Sequence, residues 1–254
     1  MKVLYLANNY LGWRIGQVLK EQGDEVVGLV AHPPDRAMFR DEIVSTFDLP
    51  AERVISAPTI NDPATHDRIR QWQPDVLLSV LFDYILKADT LALAPRGVVN
   101  LHNSYLPYNR GNFANVWSII TRTPAGATLH LMDEGIDTGP IIDRIQEPVD
   151  LKDTGETLYR RIEIAAEALF RRAWPKFRAG EFAPIEQKHL TPTPTWKKRD
   201  VEKIDPIDLD RTYTARELID ILRARTFPPH SGAYIEEGGR KVYLRLQLLD
   251  EDEL

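Results

Sequence analysis

The sequence predicts an α/β protein: a doubly wound, mainly parallel sheet with antiparallel edge strands, followed by a small C-terminal helix and β-hairpin unit. Three observations carry that prediction. In the first half of the 254-residue chain, short apolar runs alternate with amphipathic stretches of helical period. One run, Asp75-Val76-Leu77-Leu78-Ser79-Val80, is apolar on both faces, as a strand in the middle of a parallel sheet must be. Beyond Ala127 the alternation gives way to two strands joined by a turn rather than a helix.

Val3-Leu4-Tyr5-Leu6 opens the chain as a strand, and Gly12 to Glu21 follows as a helix with Ile15, Val18 and Leu19 on one face. Glu25 to Val30 is the next strand, Asp41 to Phe47 a helix, and Val54-Ile55 a short strand. Asn61 can cap a helix that has Pro63 in its first turn and ends near Trp72. After the strand at 75–80 and a short helical piece comes Gly97-Val98-Val99-Asn100-Leu101-His102, another buried strand. Ala127 to Met132 and Pro140 to Ile145 read as antiparallel edge strands. Asp153 to Ala179 reads as one long helix, capped by Asp153 or Thr154 and ended by Gly180. Its apolar stripe is Leu158, Ile162, Ile164, Ala165, Ala168, Leu169 and Trp174.

Three segments follow for the domain organisation: 1–190 as the main domain, 191–203 as a linker whose Pro-Thr steps cannot hold a helix, and 204–254 as a small unit. In that unit Thr214-Ala215-Arg216-Glu217 has the form of a capping box opening a helix to about Arg225. Tyr234-Ile235 and Val242-Tyr243-Leu244 flank a Gly238-Gly239 hairpin turn, and the tail Asp250-Glu251-Asp252-Glu253 is acidic.

Composition narrows the function classes. Lys plus Arg total 32 against 38 Asp plus Glu, a formal charge of -6 that argues against a large nucleic-acid surface. The absence of cysteine removes disulfides, thiolate nucleophiles and cysteine-bound zinc. No run is long enough for a membrane helix, and Val3 to Ala7 is stopped by Asn8-Asn9 before it could form a signal-peptide core. The expected compartment is the cytoplasm.

The densest cluster of unusual polar residues is Asn100-Leu101-His102-Asn103-Ser104-Tyr105-Leu106-Pro107-Tyr108-Asn109-Arg110-Gly111. On a strand, Asn100 and His102 project to the same face, at the carboxyl end where open α/β sheets place their ligands. A lone histidine there would most simply be satisfied by backbone. An amide, an imidazole, an arginine and a Gly- and Pro-bearing loop within twelve positions shift the balance toward chemistry. The second feature, Asp133-Glu134-Gly135-Ile136-Asp137-Thr138-Gly139, joins the two edge strands and by itself is an ordinary turn.

Together, in this order and spacing, the two segments resemble the folate-dependent formyltransferases, which show Asn-x-His-x-Ser-x-Leu-Pro-x-x-x-Gly and then an Asp-x-Gly turn. The resemblance covers roughly Met1 to Ala183. It implies a Rossmann-like domain, 10-formyltetrahydrofolate as formyl donor, and Asn100, His102 and Asp137 as the catalytic set, with no metal required. Asn100 would donate to the oxygen of a tetrahedral intermediate. His102 would bond the same oxygen and take a proton from the attacking amine, directly or by a water. Asp137 would hold the imidazole and raise its pKa, or position a water that carries the proton to the folate nitrogen. The matching donor-pocket positions are Phe82, Asp83, Tyr84, Ile85 and Leu86 with Glu134, Gly135, Ile136 and Asp137; Phe82 and Ile85 suit core packing nearly as well.

The motif style is most similar to sugar N-formyltransferases, which implies a nucleotide-linked amino deoxysugar, with dTDP as carrier, as acceptor and lipopolysaccharide O-antigen synthesis as setting. Ser104, Tyr105 and Arg110, the last suited to a diphosphate, and Asn9, Tyr10 and Arg14 are the substrate-binding candidates. Asn9, Tyr10 and Arg14 equally suit a helix cap and a surface charge. A homodimer through the hairpin unit is implied as well. Methionyl-tRNA and glycinamide ribonucleotide formyltransferases, a formyltetrahydrofolate hydrolase and a silent binding protein are the competing readings. The acidic C-terminus disfavours tRNA, and the Asn8-Asn9-Tyr10-Leu11-Gly12 loop departs from a Gly-rich phosphate grip.

Overall fold

The computed structural model describes residues 1–190 and 194–253. They form two compact units. The first comprises Met1–His102, Thr128–Arg144 and Ala166–Leu190, the second Asn103–Ala127, Ile145–Ala165 and Thr191–Leu254. Among the described residues no helix is long and apolar enough to cross a membrane.

The chain alternates as predicted: β1 (Lys2–Ala7), α1 (Asn9–Glu21), β2 (Glu25–Ala31), α2 (Arg40–Phe47), β3 (Val54–Ser56), α3 (Pro63–Trp72), β4 (Val76–Val80), α4 (Ala88–Leu91) and β5 (Val98–His102). There follow β6 (Arg110–Gly111), α5 (Ala114–Thr121), β7 (Ala125–Leu131), β8 (Ile141–Glu147) and the long α6 (Gly155–Ala179). The chain closes with β9 (Thr195–Trp196), α7 (Ala215–Ala224), β10 (Tyr234–Glu237) and β11 (Arg240–Tyr243). The main sheet has the order β3-β2-β1-β4-β5-β7-β8. Its β3, β2, β1, β4 and β5 run parallel, and β7 lies antiparallel to β5. This is the mainly parallel sheet with antiparallel strands added at one side that the residue pattern implied, and the Rossmann-like arrangement that the family resemblance implied.

The reason is burial. Every residue of β4 is buried, so it takes the middle of the sheet, where helices cover both faces. Leu4, Leu6, Val30, Ile55, Ile69, Leu77 and Val98 form one apolar cluster, with Leu86 inside it and Phe82, Tyr84 and Met132 packed against its edge. Gly28 has a packing role: a Cβ there would sit 2.4 Å from the Trp72 ring.

Several local expectations need correction. Asp62, not Asn61, stands at the N-cap of α3; the Asn61 side chain instead accepts from Lys87 N and Thr90 Oγ1 and donates to the Ile85 carbonyl. In α6 the stripe excludes Ile164, which is 72% exposed, and Ala168, while Glu163 is buried. Position 164 lies about 200° around the helix from 162, on the opposite side. Thr154 accepts from Thr157 N–H, and Gly180 ends the helix at φ 76°.

In the second unit Ile207, Ile221 and Ala233 form a small core with Tyr213, Leu218, Leu222, Ile235 and Leu244 around it. Thr214 caps α7 by accepting from Glu217 N–H, but the Glu217 carboxylate turns to Arg211 rather than back to the cap, so only half a capping box forms. Gly238 and Gly239, both at positive φ, close the β10–β11 hairpin as expected. Of the segment read as a linker, Thr191 to Thr193 lie outside the described residues. Its remainder is not featureless: Thr195–Trp196 pairs in parallel with Arg110–Gly111, and Lys198–Lys203 forms a 3-10 helix.

Candidate active site

Two strands, β5 and β7, and one turn of the first unit build the site. Asn100 and His102 leave β5 on the same face, and the antiparallel neighbour β7 sets His130 directly across from Asn100 and Thr128 across from His102. The turn after β7 then brings Asp137 back to them. His102 Nε2 lies 3.4 Å from Asp137 Oδ2, and His130 Nε2 lies 3.6 Å from Asp137 Oδ1. Asn100 Nδ2 is 3.2 Å from His130 Nε2. The three residues singled out by the motifs therefore meet, with a second histidine among them. The His102 and Asp137 side chains keep 14% and 12% of their surface open, so the cluster has an edge reachable by a substrate.

The turn is held by local hydrogen bonding. Asp133 Oδ1 accepts from Gly135 N–H at 3.0 Å and from Thr138 Oγ1 at 2.6 Å. Asp137 itself adopts φ 53°, in the left-handed region that costs a residue with a Cβ. Gly139 cannot be replaced without displacement, since a Cβ would stand 2.0 Å from the Leu131 carbonyl oxygen. From below, Gln187 donates through Nε2 to the carbonyls of Asp137 at 2.9 Å and Gly139 at 2.7 Å.

Asp137 raises the His102 pKa as expected, but it does not decide the net direction. Burial is the largest influence and pushes the imidazole below its ordinary value; Asp137 opposes this, and the neighbouring His130 adds to the lowering. The net result is a ring kept neutral, because the cost of charging a buried imidazole outweighs one carboxylate that is in contact but not in hydrogen-bond geometry. A neutral ring with a free lone pair is a proton acceptor.

The donor-pocket positions divide. Leu86 is a core residue, and Phe82 and Tyr84 are half-buried at the edge of the same cluster as Met132, from which the Asp133 to Gly139 turn departs. Ile85 is 79% exposed and does not pack in the core, and Ile136 is exposed too. Asp83 and Glu134 are exposed, and Gly135 has no room for a Cβ beside Thr138. At the exit of β1, Asn9 (φ 67°) receives Tyr10 N–H on Oδ1, and Tyr10, Trp13 and Phe39 form an aromatic trio. Arg14 is committed elsewhere: Nε and Nη2 bond the two Glu167 oxygens at 3.0 Å each, and Nη1 bonds Gln17.

Within the second unit, Ser104 Oγ donates to the Tyr108 carbonyl and Tyr105 is half-buried. Arg110 is also half-buried, in the strand braced by Trp196. The Trp196 ring stacks on Trp117 at 3.7 Å, its Nε1 donates to Asn109 Oδ1, and its carbonyl oxygen would lie 2.2 Å from a Cβ on Gly111. A cavity of about 330 Å³ in this unit is lined by Arg122, Lys203 and Arg211. Each cation there is matched by an acid, Asp220, Asp200 and Glu217 respectively.

Motif reading missed His130 and Gln187. His130 had a signal, two positions past Thr128 on a strand antiparallel to Asn100, which the register turns into a contact. Gln187 lies 50 residues from Asp137 and carried none.

A family model described as "Formyl transferase" matches residues 8–173, and one described as "N-formyltransferase dimerization C-terminal domain" matches residues 200–250. Among solved structures, a 4-N formyltransferase from Francisella tularensis has a TM-score of 0.81 at 26% identity, covering 98% of this chain and 98% of that one. A sugar N-formyltransferase from a Shewanella species shares the fold at TM-score 0.82 and 22% identity, covering 98% and 99%. The formyltransferase PseJ from Anoxybacillus kamchatkensis, in complex with UDP-4,6-dideoxy-4-formamido-L-AltNAc and tetrahydrofolate, has a TM-score of 0.57 at 27% identity. That match covers 80% of this chain and 89% of that one.

Proposed function

Because the chain belongs to the formyl transferase family, we propose that it moves a formyl group from 10-formyltetrahydrofolate to the amine of a nucleotide-linked amino deoxysugar, with dTDP as the carrier nucleotide. The observation that carries this reading is the meeting of Asn100, His102 and Asp137 at one strand end, with His102 and Asp137 in contact at 3.4 Å.

In the proposed reaction the lone pair of a neutral amine attacks the formyl carbon, a C–N bond forms, and the carbonyl electron pair moves onto oxygen. Asn100 donates an N–H to that oxygen; one such donor is worth about 100- to 1000-fold in rate. The attacking nitrogen becomes cationic, and His102, kept neutral by burial, takes its proton. Collapse of the intermediate breaks the bond between carbon and the folate nitrogen, which receives a proton as it leaves. Asp137 steadies the imidazolium that exists between the two transfers. Holding both weakly reactive partners together supplies the rest of the acceleration.

The exposed Ile85 and Ile136 and the half-buried Phe82 and Tyr84 give apolar surface suited to a pterin donor. Asn9, Tyr10, Ser104, Tyr105 and Arg110 are the acceptor-binding candidates, with Arg110 for the diphosphate; Arg14 would first have to leave Glu167. The match of residues 200–250 to a dimerization domain and the near-complete overlap with the 4-N formyltransferase favour a homodimer and an amino-sugar acceptor over a shorter glycinamide ribonucleotide enzyme. We likewise retain 1–190 as the catalytic domain and 204–254 as the small unit.

The deciding experiment follows tetrahydrofolate release spectroscopically, with product mass as a second readout. The acceptor panel is dTDP- and UDP-linked 3-amino and 4-amino deoxysugars, glycinamide ribonucleotide, charged initiator tRNA, and water alone. Turnover confined to an amino-sugar nucleotide is expected. Asn100→Ala, His102→Asn and Asp137→Ala should each lower kcat by about 100-fold or more while leaving the folded circular dichroism spectrum unchanged. Faster turnover with the ribonucleotide, the tRNA or water would overturn the acceptor assignment, and wild-type rates in two of the variants would overturn the mechanism.

A further inference from the structure

The amide of Asn100 is chemically two-sided: NH2 and carbonyl oxygen have nearly the same shape but opposite hydrogen-bonding character. An oxyanion donor must present the NH2. Strand geometry alone sets only the direction of the side chain, so something must decide which end of the amide faces which way.

His130 is placed to do so. It stands opposite Asn100 in the β5–β7 register and is almost fully buried. Its Nδ1 lies 2.8 Å from the Leu131 carbonyl oxygen. A carbonyl can only accept, so Nδ1 carries the proton, and in the neutral ring Nε2 presents a lone pair. That lone pair faces Asn100 Nδ2 at 3.2 Å. The reversed amide would set its oxygen against the lone pair, two acceptors at hydrogen-bond distance. Asp137 Oδ1 lies 3.6 Å from the same Nε2, beyond hydrogen-bond distance, and leaves the Asn100 amide at 3.2 Å as the nearer partner of that nitrogen.

We infer that His130 is a positioning residue: through its fixed tautomer it takes one N–H of the Asn100 amide and thereby turns the other N–H to the oxygen of the reacting formyl group. The catalytic residues remain Asn100, His102 and Asp137; His130 acts through Asn100. The inference rests on the formyl-transfer reading for its consequence in rate, but the orientation of the amide is measurable without any turnover.

The test uses full-length protein and three substitutions: His130→Leu, which fills the space and removes the acceptor, His130→Gln, whose Oε1 can replace the Nε2 lone pair, and Asn100→Ala. In ligand-free protein, the side-chain NH2 signals of Asn100 are assigned by their loss in Asn100→Ala. They should move in His130→Leu and stay near the wild-type position in His130→Gln. With 10-formyltetrahydrofolate and dTDP-4-amino-4,6-dideoxyglucose, His130→Leu should lower kcat by about 10- to 100-fold, part of the loss of one oxyanion donor, with little change in folinic acid affinity. The double variant His130→Leu/Asn100→Ala should be within about twofold of Asn100→Ala, since the two residues act as a unit. Additive losses in the double variant, or Asn100 signals indifferent to His130→Leu, would overturn the inference. Should His130→Leu fail to fold, the tautomer decides: long-range imidazole correlations in the wild-type protein must show Nδ1 protonated, and an Nε2-protonated ring would overturn the inference. Absence of turnover by the wild type with every amino-sugar nucleotide would instead remove the proposed function, and the amide and tautomer measurements would still decide the role of His130.

Discussion

Replacing Gln187 by alanine tests whether the turn that carries Asp137 is held from beneath. Gln187 is 3% exposed and donates from one nitrogen to the carbonyls of Asp137 and Gly139. Its removal strands two acceptors, each costing about 1–3 kcal/mol when left unsatisfied. The two losses together amount to about 2–6 kcal/mol, and the lower half of that range applies because the neighbouring turn reaches solvent and water can enter behind the lost amide. Unfolding in urea, followed by tryptophan fluorescence, should therefore shift to a lower midpoint with an unchanged slope. The same variant should lose activity, because a shift of about 1 Å in a positioned group can cost about 100-fold. Gln187→Glu should be worse than Gln187→Ala, since it sets a carboxylate against two carbonyl oxygens. A Gln187→Ala protein with a wild-type midpoint and wild-type kcat would refute the claim that this side chain supports the site.

Two further expectations follow from the same geometry. Because burial holds the His102 pKa below its ordinary 6.5 while Asp137 pulls it upward, the acid limb of kcat should fall below pH 6.5, and Asp137→Asn should move that limb to still lower pH. The linked contribution of His102 to stability is present above pH 6.5 and is lost as pH falls through its lowered folded-state value, so an acid limb moving toward neutrality in the variant would contradict the assignment. Gly139→Ala should depress kcat and stability together, since its Cβ would meet the Leu131 carbonyl oxygen at 2.0 Å and the turn must shift; a variant with wild-type thermal unfolding and rate would show that the turn has slack the contact denies.

Much of the fold was legible because its signals are local. β4, with apolar residues at all but Ser79, reads as a central strand from five residues, and Gly238-Gly239 reads as a hairpin from two, since only glycine takes consecutive positive φ angles cheaply. The failures are equally specific. Asn61 and Asp62 are both good caps, and the choice fell to Asp62 because Asn61 is drawn to Lys87, Ile85 and Thr90, which lie more than twenty residues away. The Glu217 carboxylate left its capping box for Arg211 for a similar reason: a charged partner outweighs an exposed backbone N–H.

At the site, the residue types and their order along the chain were determined by the sequence alone: an amide and an imidazole two apart on one strand face, and a carboxylate in the turn between two edge strands. Tertiary structure decided what those groups are. Burial holds the His102 imidazole below its ordinary pKa where a carboxylate neighbour alone would have raised it. Strand register put His130 against Asn100, and a loop 50 residues past Asp137 brought Gln187 under the turn. Hydrogen-bond partners and solvent exposure depend on what folds back from far along the chain, whereas strand faces and turn angles depend on immediate neighbours.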